Sequence, residues 1–407
     1  MSASGRYICA FRGRRDYYQV PVALAEGDML EEFVTDAYAG NALRSLAGVL
    51  PERLSEKFRS RYEPNLPETR VKCVWGSAVS EHLRSWLGCA PSVTFAKLDR
   101  QFGSALVART RKTESDLLIY SHYAWEPFTA RYRHTPRRVL FQFHPHPATE
   151  RRILLEDSAK YPFVRHAFEE ETGEHVSDDF KRRSRDGWQH ADLILCASSF
   201  TRQSLIEAGA EASRCKVIPY GIDVANPISE SMSSEQFAVL FVGTGSQRKG
   251  LHHLLLAWKK AVLPKNSRLI LVCRFIDAAM AAMANSMPNV HAIYGVGAHQ
   301  LHELFSKSTL FAMPSLVEGF GQVYLEALAH GCPVLGTANT GLPDVCDNKG
   351  AIWQVEPGQV DQLVSTLEIL SRMLPGDLSI RRRAQACAVN NPWKHFRAGI
   401  RSALAIA

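Results

Sequence analysis

Short apolar runs alternate with helix-forming stretches in two separate series along this 407-residue chain, and one polar segment divides them. In the first series, RYICAF (6–11), EEFVTDAY (31–38), DLLIYSHY (116–123), RRVLFQFH (137–144), ADLILCASS (191–199) and KVIPYGID (216–223) read as strands. DYYQVPVALAE (16–26) and a stretch beginning near Phe200 read as helices between them. The second series has the strands FAVLFVG (237–243), SRLILVC (267–273), NVHAIYG (289–295), STLFAMPS (308–315) and PVLGT (333–337). Its helix KGLHHLLLAWKKAV (249–262) places Leu251, Leu254, Leu255, Trp258 and Val262 on one apolar face. NPISESMSSEQ (226–236) is the linker. Strands that are apolar throughout belong in sheets covered on both faces, and strands alternating with helices pair in parallel. The expectation is an α/β chain of two doubly wound domains facing across a cleft, residues 1–225 and 226–390. Residues 40–105 carry the weakest pattern, and 150–188 reads as a charged helical insertion.

Composition narrows the function classes. No run of 18 apolar residues is present and MSASGRYICAF has no hydrophobic signal segment, so a cytoplasmic protein is expected. The nine cysteines occur singly and never as CxxC, which reads as reduced thiols rather than disulfides or a zinc site. A net charge of +7 is mild for the length and compatible with anionic substrates or peripheral association with an acidic membrane surface. The basic clusters RGRR (12–15), RRSR (182–185) and RRR (381–383) lack aromatic interleaving and read as solvated faces, so no nucleic-acid partner is expected.

The stretch PSLVEGFGQVYLEALAHGCPVLGT (314–337) carries chemistry. It reads as strand, loop, helix, turn and strand, with Glu318 in the loop at the carboxyl end of a strand and Glu326 in the helix. Ligands of parallel sheets collect there, facing the N–H groups and positive dipole end of the following helix. Gly319 and Gly321 let the backbone approach such a ligand, and the amides near Gly321, Gln322 and Val323 can cradle a phosphate. Glu326 follows Gln322 by four residues, about 6 Å further along the same helix face, roughly the step from a diphosphate to a ribose. The alternative is a solvated loop acid and a solvated helix acid.

GTGSQRKG (243–250) follows the first strand of the second series. The dinucleotide pattern fails at Arg248 and the P-loop pattern at Leu251. What remains is a loop that brings Arg248 and Lys249 to the opening of a helix, where two cations would neutralise a diphosphate. His122, His144 and His146 lack a clear acidic third ligand, which disfavours a metal reading.

Together, the Glu318-x7-Glu326 stretch, VGTGSQRKG and ADLILCASSFTRQSLIEAGAEASRCKVIPYGID resemble a family 4 glycosyltransferase (glycosyltransferase group 1) of the GT-B fold. The resemblance covers about residues 190–345 strongly and the rest by architecture. It implies two Rossmann-like domains, an amino-terminal one for the acceptor and a carboxyl-terminal one for a nucleotide sugar. It also implies a closing helix within 391–407 that crosses back to the first domain. The implied activity is a retaining, metal-independent transfer of a hexose from a nucleoside-diphosphate sugar to a glycan or lipid-linked acceptor, with no cofactor. Glu326 resembles the acid that holds the ribose, Glu318 the acid beside the donor sugar, and Lys249 the lysine that stabilises the departing diphosphate. His144 resembles the histidine lying over the transferred sugar. Thr244 stands where the family often has arginine, with Arg248 as its substitute, and Gly13 is the single glycine of the loop after the first strand, where paired glycines are common. No residue identifies itself as the nucleophile of a double displacement, so same-face attack within an ion pair is the expected route. A catalytically silent nucleotide-sugar or glycan-binding protein, or a phosphorylase or epimerase on the same fold, is the alternative.

Overall fold

The computed structural model describes residues 5–40, 61–74, 91–164, 177–224, 228, 236–345 and 350–405. Two parallel sheets organise them. The first contains β1 (Tyr7–Ala10), β2 (Leu30–Thr35), β3 (Val71–Cys73), β4 (Asp116–Tyr120), β5 (Arg138–Gln142), β6 (Leu193–Cys196) and β7 (Cys215–Val217) in the order β3-β2-β1-β4-β5-β6-β7. The second contains β8 (Ala238–Gly245), β9 (Arg268–Ile276), β10 (Val290–Ile293), β11 (Leu310–Ala312), β12 (Val334–Thr337) and β13 (Ile352–Val355) in the order β10-β9-β8-β11-β12-β13. Both sheets are doubly wound, as expected.

The strand order reverses between β1 and β4 in one sheet and between β8 and β11 in the other. Loops that leave such neighbouring strands in opposite directions open a crevice at their carboxyl ends. The loops after β1, β8 and β11 are those holding Gly13, Arg248–Lys249 and Glu318. Register supports the shared core: Ile8 pairs with Leu117, and Phe311 with both Leu240 and Val334. All these strand residues are fully buried, because helices cover both faces of each sheet.

Several details depart from the sequence expectations. The helix on the second sheet spans Leu251–Lys260, so Val262 lies beyond it and is 74% exposed rather than on the apolar face. The 150–188 segment contains the helices Pro147–Lys160 and Asp178–Asp186, while residues 165–176 lie outside the described residues. The linker 226–236 also lies outside them except for 228 and 236.

Two basic clusters are solvated only in part: Arg14, Arg382 and Arg383 are exposed, but one arginine of each cluster is buried. Arg12 is buried against Asp99 at 3.2 Å, and the buried Arg381 donates to the Ser308 carbonyl at 2.7 Å. In the third cluster the arginines have local acidic partners, such as Arg182 with Asp179 at 2.9 Å and Arg185 with Asp186 at 2.8 Å.

The last helix, Trp393–Ala405, packs on the first sheet's helix Gln19–Glu26. Arg397 donates to Gln19 Oε1 at 2.6 Å and pairs with Glu26 at 2.7 Å, and Arg137 donates to the Leu404 carbonyl at 2.8 Å.

Candidate active site

Glu318 decides the character of the crevice. It is 7% exposed, so the solvated loop acid is excluded. A buried carboxylate needs cations and hydrogen bonds to offset its lost hydration. Arg248 Nη1 donates to Glu318 Oε2 at 3.0 Å, and Lys249 Nζ pairs with the same oxygen. Burial pushes the Glu318 carboxyl up, but Arg248 and Lys249 outweigh it and hold it well below the ordinary carboxylate range. The Lys249 side chain is only 14% exposed. Loops 69 residues apart in sequence therefore build one charged cluster.

The first half contributes the opposite wall. Gly319 packs so closely on the end of β5 that a Cβ there would sit 1.7 Å from the Phe143 carbonyl oxygen and 3.1 Å from His144 Cα. Glycine at 319 thus serves the contact between the two halves, rather than only the approach to a ligand. Ser198 Oγ and Thr201 Oγ1 donate to the Gly319 carbonyl at 2.5 and 3.1 Å and lock that approach. His144 is thereby brought to Arg248 and Glu318. Burial, reinforced by the Arg248 charge, holds its imidazole neutral, well below the usual histidine range.

The helix Gln322–Ala329 begins at Gly321, whose φ of 84° is a left-handed cap that glycine adopts without strain. Gln322 and Val323 form its first turn, and Gln322 Nε2 reaches the Gly221 carbonyl at 2.8 Å. Glu326 is half-buried one turn later, and Tyr17 donates its hydroxyl to Glu326 Oε1 at 2.9 Å. Burial raises the Glu326 carboxyl, moderated by Tyr17.

Arg248, Lys249, Glu318 and His144 come together, with Glu326 and the Gly321–Val323 turn on the adjoining helix. Thr244 and Gly13 make other contacts. Thr244 is exposed within β8, and the Gly13 N–H donates to Asp36 Oδ1 at 2.9 Å. His146 caps the helix Pro147–Lys160, with Nδ1 accepting from Ala148 N–H at 3.3 Å and Nε2 at 3.0 Å from the Arg185 carbonyl. That accounts for both ring nitrogens without a metal.

Sequence reading missed Tyr17 and Arg15. Arg15 stacks over the Phe143 ring at 4.1 Å, next to His144. The segment after β1 that carries them holds left-handed backbone at Asp16 (φ 39°), Tyr17 (51°) and Tyr18 (64°), a signal that non-glycine residue types do not reveal.

Comparisons with known proteins bear on the family and the fold. Two family models match, Glycosyltransferase Family 4 over residues 73–226 and Glycosyl transferases group 1 over 236–372. The MMP alpha-(1->4)-mannosyltransferase of Mycolicibacterium hassiacum is 24% identical over 200 residues, 48% of either chain. The O-antigen chain mannosyltransferase B of Escherichia coli is 26% identical over 191 residues, 42% of this chain and 50% of the relative. The chain thus spans about half the length of these curated relatives. Among solved structures, the sucrose-phosphate synthase of Thermosynechococcus elongatus shares the fold with a TM-score of 0.67 and 16% identity, over 98% of both chains. HepE of Anabaena in complex with UDP matches with a TM-score of 0.59 and 18% identity, over 99% of this chain and 100% of HepE.

Proposed function

The chain belongs to the group 1, family 4 glycosyltransferases of the GT-B fold, and from that premise we propose that it transfers a hexose from a nucleoside-diphosphate sugar to a glycan or lipid-linked acceptor, with retention and without a catalytic metal. The observation that carries this reading is the buried Glu318 flanked by Arg248 and Lys249, with the neutral His144 facing it from the other half.

Breaking a sugar–phosphate bond builds negative charge on the diphosphate and oxocarbenium character on the sugar. Fixed cations and helix amides stabilise that state more than the ground state. Arg248, Lys249 and the first turn of Gln322–Ala329 take this role, with Glu318 setting the positions of the two cations and facing the sugar. A neutral His144 offers a hydrogen bond to the sugar without adding a charge that would oppose the oxocarbenium ion. Acceptor attack comes from the face the diphosphate leaves. The UDP in HepE supports a nucleotide donor. The cytoplasm is the compartment of this proposal, supported by the buried thiols of Cys9, Cys196, Cys215, Cys273 and Cys332, none of them in a disulfide. No helix of the described residues is long and apolar enough to cross a membrane.

The test is a matrix of nucleotide sugars against acceptors, reading nucleoside-diphosphate release and the anomeric configuration of the product, with and without EDTA. Acceptor-dependent release, a retained anomer and activity in EDTA are expected. Binding without release would make the chain a silent binder, and an inverted product would overturn the proposed stereochemistry. Activity lost in EDTA and restored by magnesium would assign the charge stabilisation to the wrong groups.

A further inference from the structure

Asp157, near the end of the helix Pro147–Lys160, faces His252 and His253, in the first turn of the helix Leu251–Lys260. The first helix belongs to the amino-terminal half and the second to the carboxyl-terminal half. We propose that these three side chains form a site for one divalent transition-metal ion of the zinc class, which ties the two halves together beside the cation pair.

Geometry carries the proposal. His252 Nε2 lies 3.0 Å from Asp157 Oδ2, and His253 Nε2 lies 2.8 Å from Asp157 Oδ1. One donor atom from each residue falls within 4.8 Å of the others, close enough for the three to share one ion. Two imidazole nitrogens and a carboxylate oxygen are a donor set typical of zinc, and ligands around such an ion stand about 3.0–3.4 Å apart. The two separations between Asp157 and the histidines need to widen by only a few tenths of an ångström.

Hydrogen bonding explains the cluster incompletely. His252 and His253 are at most 1% exposed and Asp157 is 5% exposed. His253 Nε2 is close to Asp157 without hydrogen-bond alignment, and among the described residues neither it nor the Nδ1 atom of either histidine has a partner. A buried polar atom with no partner carries a desolvation cost that a bound ligand relieves.

The surroundings suit a metal-binding carboxylate. Gln247 Nε2 donates to Asp157 Oδ2 and to the Leu154 carbonyl, each at 2.8 Å, which fixes the orientation of the acid. The Tyr161 ring stands 5.5 and 5.1 Å from the two imidazoles, and Phe163, 39% exposed, lies 6.3 Å from His252 on the outer side. These rings wall the two imidazoles on that side. Gln247 directly precedes Arg248 and Lys249, so an ion here rigidifies the loop that carries them without touching the reacting groups.

The experiment uses the full chain stripped with a chelator and titrated with zinc by calorimetry, with thermal unfolding in parallel and cobalt as a spectroscopic probe. One equivalent of zinc, a melting point raised by several degrees and a visible cobalt band are expected. Asp157→Asn and His253→Gln should each lose the equivalent and the band, with circular dichroism showing the unloaded fold intact. If Asp157→Asn does not fold, His253→Gln alone carries the test. No stoichiometric binding, or binding equal in His253→Gln, which would mark an ion held by surface histidines or thiols, overturns the site. Either failure leaves the transferase reading untouched, because nucleoside-diphosphate release is assayed separately in chelator.

Discussion

The Tyr17 hydroxyl, in the loop after β1, donates to Glu326 Oε1 at 2.9 Å across the boundary between the two sheets. The two residues are 309 positions apart in sequence. Their contact depends on three consecutive left-handed residues, Asp16 to Tyr18, each costing about 1–3 kcal/mol of backbone strain. Tyr18 offsets part of this cost, buried edge-on against Phe33 and Tyr38 at centroid distances of 5.7 Å.

If Glu326 holds the ribose, both the free nucleoside diphosphate and the nucleotide sugar depend on it. Glu326→Gln should weaken both equally, by roughly 1.5–3 kcal/mol for a lost charge-assisted hydrogen bond. Calorimetric titration with the two ligands checks this, and unchanged diphosphate affinity would remove Glu326 from the ribose.

Glu318→Gln should behave differently. Diphosphate affinity should change little, while turnover and sugar discrimination fall, because the group works at the transferred sugar and on the two cations. The variant should also melt lower, since Arg248 and Lys249 lose the carboxylate buried between them. Equal losses of diphosphate affinity in this variant and Glu326→Gln would end the division of labour.

Lys249→Ala should lower kcat by about 100-fold, the scale of removing one preorganised transition-state contact. Its burial adds a second effect. Breaking a buried ion pair costs about 3–5 kcal/mol, and the cost should fall near the lower end because Arg248 remains on Glu318. Kinetics well below the melting point separate the two effects, and full turnover would move the role to Arg248.

Asp16 should shape the pH dependence of stability. Burial pushes its carboxyl up to about 8, with the Tyr120 hydroxyl and the Val20 N–H opposing. The folded state therefore holds a proton that the unfolded chain releases near pH 4, and this contribution is full below pH 4 and lost as pH rises towards 8. The melting-point gap between Asp16→Asn and the parent should move in favour of Asn from pH 5 to pH 8. A gap that stays constant would show that Asp16 does not titrate in that window.

Runs such as FAVLFVG and DLLIYSHY announced their strands because a parallel sheet covered on both faces requires apolar residues at every position, a local constraint written in consecutive letters. The same holds for Arg248, Lys249 and Glu318, whose places after β8 and β11 follow from strand ends and loop composition. β3, three half-buried residues, and β13, four residues, are edge strands that escaped detection. What only the tertiary structure decided was which distant groups meet: Lys249 with Glu318, Tyr17 with Glu326, and Asp157 with His252 and His253. The first joins two loops of one sheet, and the other two arise where the two separately wound halves touch. Burial there removes water from charges that look solvated in the sequence, and each charge must find its partner in the other loop or the other half.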